Sequence, residues 1–184
     1  GVSVKLSALH PRYEPGQRER VMTELVPKLL NLAVAARDAG VVLTVDAEEA
    51  ARLNLSLEVT EAVADAPGLA GWDGFGLAVQ AYGKRAMAVL DWLVEKGRVT
   101  GRRWPVRLVK GAYWDSEIKL AQQLGLDAFP VFTRKGGTDV SYLACARRML
   151  AEPSIVPQFA THNAHTVAAV HAMAGGRRDY EFQR

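Results

Sequence analysis

The sequence predicts an α/β protein, a (βα)8 TIM-like barrel represented by an incomplete run of about six strands. Three observations lead there. Strand-like and helix-like segments alternate from end to end, which implies parallel strands joined by right-handed helical crossovers. Lys5, Asp46, Gln80 and Arg107 each stand at or near the C-terminal part of a different strand, with the opposite parity from their apolar neighbours. An open doubly wound sheet has helices on both faces, so both should be apolar, whereas one face of a barrel fills a lumen whose catalytic end is polar. Finally, Gly71, Gly74 and Gly76 do not match GxGxxG and precede a strand instead of following one, so a dinucleotide-binding reading fails.

The first strand is expected over Val2 to Leu9, where Val2, Val4 and Leu6 alternate with Ser3, Lys5 and Ser7. HPRYEPG reads as a loop, and a helix from about Gln17 to Ala39 follows, with Val21, Leu25, Leu29, Leu32 and Ala36 on one side. Pro27 is expected to kink or restart it. Gly40 closes that helix, and VVLTVDAEE is the second strand. A helical stretch through Glu61 to Ala66 ends at Pro67-Gly68, before the third strand, FGLAVQAY. The helix Gly83 to Lys96 places Met87, Leu90, Leu93 and Val94 on one face, and AMAVLDWL reads as core.

RVTGRRWP reads as a loop into the fourth strand, which opens the stretch VRLVKGAYW. That stretch puts Arg107, Lys110, Tyr113 and Trp114 close to a strand end, a set suited to something anionic and flat. A short helix begins near Asp115 and Ser116, and a connection runs through Pro130 and TRKGGTD. Then come the helix Val140 to Ala151, the strand VPQFATHN, a helix from about His165 to Ala174, and a last strand starting at Tyr180. The complete barrel has eight strands and typically about 250 residues, so at least two strands are expected outside these 184 residues.

One domain fits this length, and with 49% hydrophobic residues the chain can bury a sizeable core. The formal charge of +3 is small and its cations are interleaved with acids, which argues against a nucleic-acid face. The single cysteine, Cys145, rules out an intrachain disulfide and points to a reducing compartment. No apolar run reaches the ~18 residues of a membrane span.

Lys5 and Asp46 on neighbouring strands are costly to desolvate unless they pair with each other or with a ligand. They read either as a structural ion pair or as a carboxylate receptor, Lys5, with an orienting acid. Arg107 and Gln80 offer donors suited to the edge of a heteroaromatic ring, against a surface ion pair for the arginine alone. Lys110, Gly111 and Ala112 form a small-residue turn, with Lys110 free to meet a phosphate. Thr161, His162 and Asn163 end the fifth strand. His162 and His165 lack the further ligands of a metal signature, so His162 reads as a hydrogen-bonding residue and His165, His171 and His10 as structural; no metal is expected.

The motifs SVKLSALHPRY, LTVDAEEA, GLAVQAYGKRA, VRLVKGAYWDSEIK, PVFTRKGGTDVSYLACAR, PQFATHNAHT and YEFQR, in this order, closely resemble the proline dehydrogenase domain of the bifunctional proline utilisation A flavoenzymes. The resemblance covers essentially the whole chain. It implies non-covalent FAD at the C-terminal ends of barrel strands and oxidation of L-proline to Δ1-pyrroline-5-carboxylate, with electrons passing to a membrane quinone. It further implies that Lys5 binds the proline carboxylate, that Asp46 is an active-site residue and that Arg107 lies by flavin N5. Ala47, Gln80, Lys110, Gly111, Ala112, Trp114, Thr161, His162 and Asn163 would contact FAD, Tyr113 would line the proline pocket, and Arg134 and Lys135 would face the phosphate or adenosine end. An aldehyde dehydrogenase domain on the same parent chain, a cytoplasmic location and contact with the inner membrane are also implied. By this resemblance the first barrel strand, and a last strand and helix carrying two arginines, lie outside the chain.

Two other readings compete. A Schiff-base aldolase on the same barrel would use Lys110 or Lys5 as nucleophile, which requires a desolvated lysine. A catalytically dead scaffold would keep the barrel and lose the reaction, although intact Lys5, Asp46 and Arg107 argue against it.

Overall fold

The computed structural model describes residues 1–184. They form two compact units, Gly1–Leu77 and Ala78–Arg184.

The first unit runs β1 (Val2–Val4), α1 (Leu6–Leu9), α2 (Arg18–Asp38), β2 (Leu43–Val45), α3 (Leu53–Ala64) and the start of β3 (Phe75–Gln80). β1 pairs with β2 in parallel, Val4 opposite Val45, and β2 with β3 in parallel, Val45 opposite Leu77. β1 stops well before the expected Leu9. Lys5 is still extended, but Leu6 to Leu9 close one helical turn that buries Leu6 completely. The expected second strand likewise shrinks to three residues, and Thr44 is buried along with Leu43 and Val45, so neither face of β2 is open.

α2 is continuous through Pro27. Pro27 and Thr23 both face water, so the Thr23 carbonyl that the proline leaves without an amide partner can bond to solvent. Its buried stripe is Val21, Leu25, Leu29, Ala33 and Ala36, and Leu32 is 41% exposed. The stripe follows an i, i+4 ridge around the axis, and that ridge passes through Ala33. α3 starts eight residues before the expected Glu61. Leu53, Leu55, Leu57 and Val59 alternate like a strand and disguise the helix, whose buried residues are Leu55, Val59, Thr60, Val63 and Ala64. Arg18 Nε donates to Glu58 Oε2 at 2.5 Å, linking α2 to α3.

The second unit continues from the end of β3 through α4 (Ala86–Thr100), β4 (Trp104–Val109), α5 (Trp114–Gln123), α6 (Lys135–Ala151), β5 (Ile155–Ala160), α7 (Ala164–Ala174) and β6 (Glu181–Gln183). β4 and β5 pair in parallel with Arg107 opposite Gln158, and β5 and β6 with Gln158 opposite Glu181. The expected RVTGRRWP loop is mostly taken up by its neighbours. α4 runs on to Thr100, helped by Arg98 donating to Glu95, and Trp104 and Pro105 already belong to β4. The expected TRKGGTD connection is also largely helical, because α6 begins at Lys135. Gly136 and Gly137 weaken a helix interior, but in the first turn amides have no intrahelical partner to lose.

Trp104, Val106, Leu108, Ile155 and Phe159 from β4 and β5, with Tyr142, Met149 and Val170 from the helices, are buried and make the core. Behind it, Arg177 gathers the end of α6. Its Nη1 donates to the carbonyls of Met149, Leu150 and Glu152 at 3.1, 2.6 and 3.2 Å, and its Nη2 to that of Ile155 at 2.7 Å. Asp179 accepts from Arg177 Nε and from Arg103 Nη2, both at 2.7 Å, and the Arg177 bond in particular holds its carboxyl below the usual carboxylate range.

The strand order is β1-β2-β3-β4-β5-β6 with no reversal. A doubly wound sheet reverses its order at a switch point, whereas a (βα)8 barrel adds each strand beside the last. The α/β fold therefore has barrel connectivity. No helix is long and apolar enough to cross a membrane.

Candidate active site

In the first unit the parallel register dictates one contact. Val4 lies opposite Val45, so the next residues, Lys5 and Asp46, leave adjacent strands side by side. Lys5 Nζ donates to Asp46 Oδ2 at 3.0 Å, with the two side chains 49% and 22% exposed. A half-solvated ammonium held by an acid can receive a second carboxylate without a large desolvation cost. Ala47 follows, half-buried.

Glu48, which no sequence pattern singles out, supports this loop. Its Oε1 accepts from Ser7 N at 3.1 Å, and Arg52 Nη1 reaches Glu48 Oε2 at 3.4 Å and Glu49 Oε2 at 3.0 Å. Arg52 also lies over the Tyr13 ring, 5.3 Å from its centroid, and burial pushes the Tyr13 phenol up to about 12. His10 has the structural place expected for it. It is buried, its Nδ1 accepts from Arg12 N at 3.1 Å, and its Nε2 meets Glu24 Oε2 at 3.0 Å.

In the second unit, Gln80 is the last residue of β3, and its Oε1 accepts from Ala112 N at 3.0 Å. Tyr82 N bonds to the Lys110 carbonyl at 2.7 Å, so the turn after β4 is sewn to the segment after β3. Gly111 is required at its place. Its φ is +146°, and an added Cβ would stand 2.4 Å from the Tyr82 ring. Lys110 Nζ donates to Asp139 Oδ1 at 2.5 Å. Trp114 Nε1 donates to the Phe132 carbonyl at 2.9 Å, and the indole is 43% exposed. Tyr113 is half-buried at the start of α5.

Arg107, near the end of β4, donates from Nε to Gln183 Oε1 at 2.7 Å, and Gln183 Nε2 donates to Glu181 Oε1 at 2.6 Å. The Gln183 carbonyl also accepts from Thr161 N at 3.1 Å, which joins the turn after β5 to the same group. In that turn Asn163 caps α7, its Oδ1 accepting from Thr166 N at 2.9 Å. His162 and His165 are both exposed, and His171 Nδ1 meets Tyr180 Oη at 2.9 Å. Thus Gln80, Lys110, Gly111 and Ala112 gather at one turn, and Arg107 and Thr161 meet through Gln183. Glu181, Gln183 and Asp139 went unremarked in the sequence, because only the strand register and the helix start show what they face.

Beside Arg107 in the register, Gln158 is 7% exposed and its Oε1 has no hydrogen-bond partner. A buried amide oxygen left unpaired is costly, and paired strand positions point to the same sheet face. Guanidinium, ammonium and amide donors with an unpaired acceptor suit a ring edge that alternates acceptors with a donor. An isoalloxazine has such an edge, so this donor set fits a flavin.

A family model described as proline dehydrogenase matches residues 1–184. Bifunctional protein PutA of Salmonella typhimurium is 55% identical over 187 residues, covering 100% of this chain and 14% of that protein. The protein of the same name from Escherichia coli is 54% identical over 187 residues, with the same coverage, so the chain spans about 14% of the length of these curated relatives. Among solved structures, proline utilization A with proline bound in remote sites superposes with a TM-score of 0.98 at 61% identity, covering 100% of this chain and 19% of that one. Proline utilization A from Bdellovibrio bacteriovorus, inactivated by N-propargylglycine, gives 0.95 at 32% identity, covering 100% and 20%.

Proposed function

The chain belongs to the proline dehydrogenase family, and from that membership we propose that it is part of a barrel domain that oxidises L-proline to Δ1-pyrroline-5-carboxylate with FAD. The domain works within a longer cytoplasmic polypeptide that also carries an aldehyde dehydrogenase, with a membrane quinone as the onward electron acceptor. The match to the family over the full chain carries this reading.

When bound, FAD supplies the two-electron acceptor for the hydride that C5 of proline loses as its nitrogen gives up a proton. The residues of this chain place and polarise. Lys5 receives the substrate carboxylate while Asp46 holds the ammonium in direction, and fixing one end of so small a ring decides which carbon faces the acceptor. Tyr113 lines the proline pocket. Arg107, held by Gln183, would meet the flavin by N5, and Gln80 and the unpaired oxygen of Gln158 would offer further polar contacts to the ring. Ala47, Gly111, Ala112, Trp114 and the turn Thr161, His162, Asn163 would hold the body of the cofactor. Lys110, with Arg134 and Lys135, would take its phosphates.

The Schiff-base alternative lacks its premise. Lys5 is half-exposed on one carboxylate and Lys110 sits on another, where a nucleophilic lysine needs apolar surroundings. The test is an anaerobic absorption spectrum of the full-length protein before and after L-proline. Flavin bands that bleach on addition are expected. A colourless protein overturns the reading, and a yellow one that proline leaves unbleached revives the dead scaffold.

A further inference from the structure

Asp139, in the first turns of α6, joins two of the cations just assigned to phosphate. Its Oδ1 accepts from Lys110 Nζ at 2.5 Å and its Oδ2 from Lys135 Nζ at 2.6 Å. Lys110 leaves the end of β4 and Lys135 opens α6, so a single carboxylate fixes ammonium groups from two separate elements. Lys110 is confined further. Its Nζ lies 6.0 Å from the centroid of the Tyr142 ring, whose hydroxyl is tied to the Leu108 carbonyl at 3.3 Å. Hydrogen bonds from Lys110 first and Lys135 second keep the Asp139 carboxyl below the usual carboxylate range, so it is ionised at neutral pH.

We propose that Asp139 is a positioning residue for the diphosphate end of the cofactor, setting Lys110 and Lys135 in the orientation in which they meet a polyanion. The proposal deepens the flavin reading above and rests on it. An ammonium has three donors on a flexible four-carbon stem, and giving one donor to a shared anchor leaves two aimed in a fixed direction. The arrangement has a cost that makes it testable. A carboxylate beside a diphosphate repels it, and removing the acid raises the charge of the trio from +1 to +2. Coulomb attraction alone therefore makes a neutral variant bind a polyanion more tightly, whereas loss of positioning makes it bind more weakly.

The experiment strips flavin from the full-length protein and titrates it back, following flavin fluorescence, with FAD and with riboflavin, which has no phosphate. Asp139→Asn is expected to weaken FAD by about tenfold while leaving riboflavin unchanged, and Asp139→Glu to restore most of the loss. In a Lys110→Met, Lys135→Met background, Asp139→Asn is expected to add nothing. An Asp139→Asn protein that binds FAD as tightly as wild type or more so overturns the proposal, as does a loss shared equally by riboflavin. A wild-type protein that takes up neither flavin overturns the flavin reading and this role together. If wild type binds FAD and bleaches with proline while Asp139→Asn behaves identically, the role of Asp139 alone falls.

Discussion

Lys5 and Asp46 were legible as a pair from alternation alone, because both follow the apolar run of a strand, and the register sets them 3.0 Å apart. Their purpose is measurable. Lys5→Met removes charge-assisted hydrogen bonds worth about 1.5–3 kcal/mol, so KM for proline is expected to rise by roughly one to two orders of magnitude in steady-state assays. An unchanged KM would return the pair to a purely structural role. Glu24 sets a pH dependence that the sequence hid. Its carboxyl is held below the ordinary glutamate range by hydrogen bonds from Arg20 first and His10 second. A depressed folded value means the carboxylate adds stability above its unfolded pKa of about 4.3 and loses it as the pH falls through the folded one. Thermal unfolding of wild type and Glu24→Gln is therefore expected to differ at neutral pH and to converge in acid. Arg20 meets Glu24 as an i, i+4 helical pair, whereas His10 lies fourteen residues away and only the fold returns it to α2.

Elements were legible where one periodicity ruled and hidden where two overlapped. α4, α7 and the central strands stand near their expected places, whereas the first two turns of α3 are hidden because Leu53 to Val59 also satisfies an alternating pattern. Alternation overstates strand length at both VKLSAL and VDAEE, since it continues past the last strand residue. The glycines of α6 mislead in the same way, because propensity scales describe helix interiors and these stand at a start. Pro27 offers the sharpest test at this scale. Its position in an unbroken 21-residue helix is exposed, so Pro27→Ala restores an amide and relaxes the ring's steric demand. It is expected to stabilise the domain by about 1–3 kcal/mol, read as a higher thermal midpoint. A lower midpoint would mean that α2 depends on the proline for its path.

At the scale of the whole molecule, connectivity was the most legible property. Strand and helix alternation fixes parallel crossovers, and polar residues on one parity choose the barrel over the open sheet, as the unreversed order bears out. What the pattern could not supply was which side chains share a partner, since Arg107 and Gln183 are 76 residues apart and meet only through the sheet. β1 and β6 each have one neighbour in the order, and an uncovered strand edge recruits other chains. We expect these 184 residues, produced on their own, to self-associate on size-exclusion chromatography and to leave proline unoxidised. A monomeric, flavin-loaded and active product would contradict this.

The grip of Arg177 on four consecutive-region carbonyls bears on how such sequences can diverge. Every carbonyl oxygen it holds lies between Met149 and Ile155, so an insertion there would pull acceptors away from a fan of donors that cannot lengthen. Length variation among family members should therefore collect elsewhere, as in the solvent-facing loop around Gly125, and leave that joint the same size from one species to the next.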